Sequence, residues 1–325
     1  MTRSRWLRSL RAFAVSAALL AFAPAGMAQD YPSQDIHLIC GFPAGSGADV
    51  IVRYIAEKLR PISGRNVIVE NKVGAAGNIA VEHTARSKPD GHTIFIGGGS
   101  GVAGNMNIFK KPPVDVPTQM FAAATLHRQA FMLAVDAKKP WKTVAELTAH
   151  LKQRGDKASY GTSAAAGQVM GEMYKAKTGV QPVQVVYKTA QDSLNDLLAG
   201  NIDFGTIDPQ FGTSQSRAGR LRILGVSTPT RLESTPDLPT MKEGGVDMEF
   251  TAWWAAIVPI ATPKPVVEKI NKWINDIMST PESKAFFAAA GGDPWINTSA
   301  DANAFLIKSI KDWGDYVKLA KIEQQ

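Results

Sequence analysis

Short β-branched runs alternate with stretches of helical period along most of this chain, and that alternation restricts it to α/β architectures with largely parallel sheets. In the first half, strands are predicted at residues 36–40, 66–70 and 93–96, with helices at 49–60 and 78–87 between them. Ile51, Ile55 and Leu59 recur at four-residue spacing in the first helix and give it one buried stripe. A second set begins at 131–135. It runs through a helix at 143–154, a strand at 158–160, a helix at 167–177, a strand at 183–187, a helix at 190–199 and strands at 203–207 and 221–226. After a strand-like 250–258 only helices follow, at 265–278, 282–290 and 300–321, the last opened by Thr298 and Asp301 in a capping-box pattern. Helices of this kind need a sheet to cover. The chain is therefore expected to return to its first sheet, so that segments near 130–135 and 251–258 cross between two lobes and leave a cleft between them.

The first 28 residues are expected to be lost. Arg3, Arg5, Arg8 and Arg11 precede an apolar stretch from residue 12 to 22, and Gly26 and Ala28 occupy the two small-residue positions that a signal peptidase reads. Cleavage after Ala28 and a periplasmic location follow as expectations. Removing that segment takes away four arginines and no acid, leaving 32 basic side chains against 29 acidic ones, a formal charge of +3 instead of +7. No basic run with interleaved aromatics survives, which argues against nucleic acid as a partner. About 297 mature residues exceed what a single core usually supports. The expected division is 29–131 plus 250–325 as the first lobe and 132–249 as the second.

Chemistry-bearing residues collect at strand ends, where open α/β sheets bind their ligands. The loop Gly41-Phe42-Pro43-Ala44-Gly45-Ser46-Gly47-Ala48-Asp49 turns sharply from a strand into a helix start, whose unpaired N–H groups and dipole favour a small anion, with a carboxylate as the first candidate. Gly97-Gly98-Gly99-Ser100-Gly101, Gly161-Thr162-Ser163, Tyr187-Lys188-Thr189 and Ile207-Asp208-Pro209 are the other strand-end loops. Most of them supply hydroxyl or backbone donors, which suits recognition of carboxylate oxygens without chemistry. Asp49 and Asp208 read either as a cap and a turn or as acceptors for bound water or a ligand amine. Trp253 and Trp254 either face the cleft or pack in the hinge, Phe42 and Phe211 carry the same ambiguity, and Lys188 either pairs with a second acid group or is solvated.

Catalytic patterns fail at specific places. Ser46, Ser100 and Ser163 each lack a glycine of the Gly-x-Ser-x-Gly elbow. His37, His83, His92, His127 and His150 show no metal-ligand spacing, and Cys40 is the only cysteine, read as a buried structural thiol. Gly99-x-Gly101-x-x-Gly104 follows the wrong strand for a dinucleotide fingerprint. No cofactor and no metal are expected.

Several segments, taken in order, carry a family resemblance across nearly the whole mature chain. They include Tyr31-Pro32-Ser33, Phe42-Pro43 with Gly45 and Asp49, Val69-Glu70-Asn71-Lys72 followed by Gly74-Ala75-Ala76-Gly77-Asn78, and Lys88-Pro89-Asp90-Gly91. Later ones are Tyr160-Gly161-Thr162-Ser163, Val186-Tyr187-Lys188, Asp196-Leu197-Leu198-Ala199-Gly200, Ala218-Gly219-Arg220-Leu221-Arg222 and Thr262-Pro263-Lys264-Pro265-Val266-Val267. The sequence resembles the Bug family of periplasmic solute-binding proteins, receptors of tripartite tricarboxylate transporters. That resemblance implies a two-lobed periplasmic-binding-protein fold, two doubly wound sheets around a ligand cleft, with a ligand carboxylate gripped by the first strand–helix loop and by second-lobe loops, partly through water.

The residues expected to meet the ligand are Phe42, Ala44, Gly45, Ser46, Asp49, Gly99, Ser100, Gly161, Thr162, Ser163, Tyr187, Lys188, Asp208 and Trp253. The implied partners are a small carboxylate and the membrane subunits of a tripartite transporter, or alternatively a sensor kinase, with the receptor itself a monomer. A secreted hydrolase is the remote alternative. The chain departs from the family pattern at Gly41, Ala44 and Ser46, at the short Ala164-Ala165-Ala166 turn with Gln168 near a usual histidine position, and at Thr189, so the ligand type does not carry over.

Overall fold

The computed structural model describes residues 31–324; the expected signal segment and its cleavage point lie outside the described residues. The local signals read from the sequence produce the first unit: β1 (Ile36–Cys40) leads through the glycine-containing loop into α1 (Gly47–Ser63), followed by β2 (Val67–Asn71), α2 (Asn78–Ala85) and β3 (Thr93–Gly98). Ser46, not Asp49, is the N-cap of α1, and its Oγ accepts the Asp49 N–H at 3.2 Å. At the other end Gly64 adopts φ +66° and returns its N–H to the Arg60 carbonyl, a glycine-dependent stop.

A π turn at Ser100–Gly104 and single helical turns at Asn105–Ile108 and Val116–Gln119 lead to β4 (Met120–Gln129) and β5 (Met132–Asp136). Next come α3 (Val144–Arg154), β6 (Ser159–Thr162), α4 (Ala165–Thr178), β7 (Val183–Val186), α5 (Ala190–Ala199), β8 (Phe204–Ile207), α6 (Pro209–Arg217) and β9 (Leu221–Val226). The chain closes with β10 (Ala252–Pro259), α7 (Lys264–Met278), α8 (Pro281–Ala289), β11 (Gly292–Pro294) and α9 (Ser299–Leu319). The Thr298–Asp301 box forms as expected, with the Asp301 N–H on Thr298 Oγ1 at 3.1 Å, and Ala302, Leu306, Trp313 and Val317 are buried along one stripe of α9.

These strands make two mixed sheets. The first is ordered β11-β4-β10-β3-β1-β2 and the second β7-β6-β8-β5-β9. Parallel pairs are β1 with β2 and β3, and β6 with β7 and β8; β4, β5, β10 and β11 run antiparallel to their neighbours. The chain passes between the sheets twice, at Ala130–Phe131 from β4 to β5 and again between β9 and β10. One continuous apolar cluster spans both sheets, from Ile39 and Phe95 through Phe250 and Trp313 to Tyr160 and Tyr174, and a smaller one lies under β5, α5 and β9.

Two strands escaped sequence reading for a physical reason. β4 reads Met-Phe-Ala-Ala-Ala-Thr-Leu-His-Arg-Gln and is buried on both faces over its middle, so it shows neither the period of two nor β-branched enrichment. β11 is three residues long, Gly-Asp-Pro, and exists only because β4 offers it an edge.

Candidate functional site

A cleft of about 630 Å³ opens where strand ends from both sheets meet. The first sheet supplies Phe42 after β1, Gly98 at the end of β3 and Gly99 and Ser100 beyond it; the second supplies Ala164, Ala165 and Ala166 after β6 and Asp208, Pro209 and Gln210 after β8. The two crossing segments add Gln129, Phe131 and residues 250–254, and the far wall comes from Phe286, Ala289 and Ala290 of the α8 region and Trp313 of α9. Glycine is required in this wall at Gly99, where a Cβ would sit 2.3 Å from the Trp253 indole nitrogen. Gly47 also keeps space across the cleft, because a Cβ there would lie 3.1 Å from Gln210 Oε1.

Five of the fourteen expected residues lie on this lining: Phe42, Gly99, Ser100, Asp208 and Trp253. The remainder sit outside it. Ala44 and Gly45 are exposed on the loop before α1, where Ser46 serves as the cap. Gly161 is packed under Ile202, Ser193 and Tyr187; Thr162 is buried with Oγ1 turned to the Ala164 backbone, and Ser163 follows it off the wall. Tyr187 donates its hydroxyl to Asp196 Oδ2 at 2.7 Å; desolvation, and after it this bond to a carboxylate, push its pKa up to about 12. Lys188 is exposed.

Asp49 is a clasp within its own loop. Its Oδ2 accepts the Gly45 N–H and Arg53 Nε, both at 2.8 Å, and Oδ1 accepts Asn71 Nδ2 at 2.8 Å. Asn71 also holds the Phe42 carbonyl at 2.9 Å, so Asp49 sets the shape of the loop that presents Phe42 to the cleft. The Arg53 hydrogen bond, ahead of the opposing effect of burial, lowers the Asp49 pKa to about 2. Asp49→Asn is expected to cost about 1–2 kcal/mol at neutral pH, measured by urea unfolding. The sign follows from the lowered pKa: the wild-type advantage is full above the ordinary carboxyl value near 3.8 and disappears as pH falls towards 2.

Three helices start at the cleft and differ in what occupies their unpaired N–H groups. At α1 the Ser46 hydroxyl serves. At α6 the Asp208 carboxylate serves, accepting the Phe211 N–H at 2.9 Å, and burial holds this carboxyl above its usual range against the lowering effect of backbone donors. At α4 the cap is Ala164, with no side-chain oxygen to offer, and Ala164, Ala165 and Ala166 all line the cleft. A fourteen-residue helix thus presents an uncapped, partly positive end to the space.

The two tryptophans diverge because neighbours on β10 face opposite ways. Trp253 is buried against Phe305 at 5.5 Å, while Trp254 stacks between Phe42 at 6.0 Å and His127 at 5.8 Å, and both contribute to the lining. Gln129, Gln210, Phe286 and Trp313 were not among the expected residues. None follows a motif: Trp313 belongs to the apolar stripe of α9, and Phe286 becomes a wall residue only once α8 packs beside β11.

A family model described as the tripartite tricarboxylate transporter family receptor matches residues 51–322. A UPF0065 protein of Bordetella bronchiseptica is 29% identical, over 96% of this chain and 94% of its own length. Among solved structures, R. palustris Rpa4515 with adipate is 27% identical with a TM-score of 0.76, covering 90% of this chain and 99% of that one. The periplasmic binding protein BugD is 28% identical with a TM-score of 0.71, covering 91% and 100%.

Proposed function

Because this chain belongs to the tripartite tricarboxylate transporter receptor family, we propose that it is an exported solute-binding protein that captures a small carboxylate in the cleft described above and presents it to the membrane subunits of such a transporter. The observation that carries this reading is the uncapped start of α4 on the cleft wall. A ligand carboxylate there supplies the acceptor that Ala164 lacks, and the helix dipole adds to the attraction. The adipate bound by Rpa4515, a structure of the same fold at 27% identity, supports an acid as the ligand class.

In this reading residues 29–131 with 250–325 and residues 132–249 act as two lobes, hinged at the crossings, and residues 1–28 direct export. Phe42, Gly99, Ser100, Asp208 and Trp253 then contact the ligand directly, while Asp49 and Thr162 act by holding the loops. Capture and release need no bond to form or break, in keeping with a receptor family and not an enzyme family.

The test is a thermal-shift series on the mature protein with monocarboxylates, dicarboxylates and their amides. An acid at about 100 times its dissociation constant adds roughly 2.7 kcal/mol, which raises the melting temperature by several degrees. Its amide counterpart is expected to give no shift. Equal shifts from acid and amide, or recovery of a converted product, defeat the reading.

A further inference from the structure

Charge is nearly missing from the walls of the cleft. Among the described residues on its lining there is no lysine, arginine or histidine, and Asp208 is the single ionisable side chain. Rings replace charge: Phe42, Phe131, Trp254 and Phe286 reach the space from four different elements, and Phe42 keeps 42% of its surface exposed at the wall. Phe42 and Trp254 stack on each other, 6.0 Å apart at 25°, and both border the cleft.

Resting on the reading that this cleft holds a carboxylate, we propose that its ligand is a monocarboxylate with a flat, aromatic body, and that di- and tricarboxylates are selected against. One acid group can be held by the α4 start, whose dipole is equivalent to about half a positive charge. A second carboxylate entering the same space would lose its hydration with no cationic partner on the wall, and it would meet Asp208. Both effects oppose it. An aromatic body loses little on leaving water and gains apolar contact with the rings of Phe42, Phe131, Trp254 and Phe286. The volume of about 630 Å³ falls within the range of sites that enclose ligands larger than a four-carbon diacid.

Calorimetric titration of the mature protein at pH 7.5 with benzoate, 2-naphthoate, adipate, malate and benzamide tests this. Benzoate or 2-naphthoate is expected to bind at least tenfold tighter than adipate and malate, and benzamide at least tenfold weaker than benzoate. Asp208→Asn retains a good helix cap and should narrow the aromatic-to-adipate ratio at least threefold by improving adipate. Adipate or malate binding as tightly as the aromatic acids overturns the proposed ligand class while carboxylate capture stands. Benzamide matching benzoate, or no acid binding at all, overturns carboxylate capture and this inference with it. An unchanged ratio in Asp208→Asn removes Asp208 from the selection.

Discussion

Replacing Ser227 by alanine is expected to lower the free energy of unfolding by about 2–4 kcal/mol through the loss of one buried hydroxyl. Ser227 is fully buried just beyond β9, and it joins both crossing segments. Its N–H donates to the Phe131 carbonyl at 2.9 Å while its Oγ accepts the Phe131 N–H at 3.0 Å. The same hydroxyl donates to the Phe250 carbonyl at 2.6 Å, and the Phe250 N–H returns to the Ser227 carbonyl at 2.7 Å. Alanine keeps the two backbone bonds and strands a buried N–H and a buried C=O, each at the cost of a missing hydrogen bond in a dry site. Urea unfolding followed by tryptophan fluorescence reads the change as a lower midpoint at constant slope. A loss below about 0.5 kcal/mol would mean that the crossings are not fastened at Ser227. Phe131 and Phe250 both line the cleft, so the variant also loosens two rings of its wall.

His127 sets the second large effect, a loss of stability in mild acid. The ring is fully buried on β4, stacked at 4.6 Å on Phe287 and at 5.8 Å on Trp254, and neither nitrogen has a hydrogen-bond partner among the described residues. Burial lowers its pKa from 6.5 to about 3, so the folded protein keeps it neutral. The unfolded chain takes up a proton near pH 6.5 and the folded chain does not, so stability is complete above that value and falls below it. The slope is about 1.4 kcal/mol per pH unit, or about 2 kcal/mol between pH 6.5 and 5, and it continues until the folded ring itself protonates near pH 3. His127→Leu is expected to remove that slope and to flatten the melting temperature between pH 7 and 5. A variant as acid-sensitive as the wild type would place the proton uptake elsewhere. Asp49 does not confuse the measurement, because its contribution is lost only below about pH 4.

Element types in this fold were largely readable because their causes are local. Ile51, Ile55 and Leu59 bury together since a helix repeats every 3.6 residues, and the Thr298–Asp301 box forms since its two partners are three residues apart. Local sequence left the start of α1 open between two readings of Asp49. Ser46 caps the first turn and Asp49 lies within it, where Asn71 and Arg53 claim the aspartate. β4 was invisible because its three alanines carry no strand signal, and its identity comes from β10 and β11 pairing on either side of it.

The candidate site divides along the same line. Sequence reading reached the strand-end loops that border the cleft, since glycines, helix starts and strand ends are written close to one another in the chain, and it reached the family membership. It looked for the acid at residues 41–49, while the helix start on the wall that lacks a side-chain cap is that of α4 at Ala164. Which loops meet was decided elsewhere: Gln210 reaches Gly47 from 163 positions away, and Phe286 and Trp313 join the wall only after α8 and α9 cover the first sheet. Local sequence therefore determined most of the elements, β4 and β11 excepted, because backbone hydrogen bonding and side-chain period act over one or two turns. Tertiary structure alone decided that the cleft is aromatic and, among the described residues, free of cationic side chains, because that property belongs to a surface assembled from several separate stretches of chain, not to any one of them.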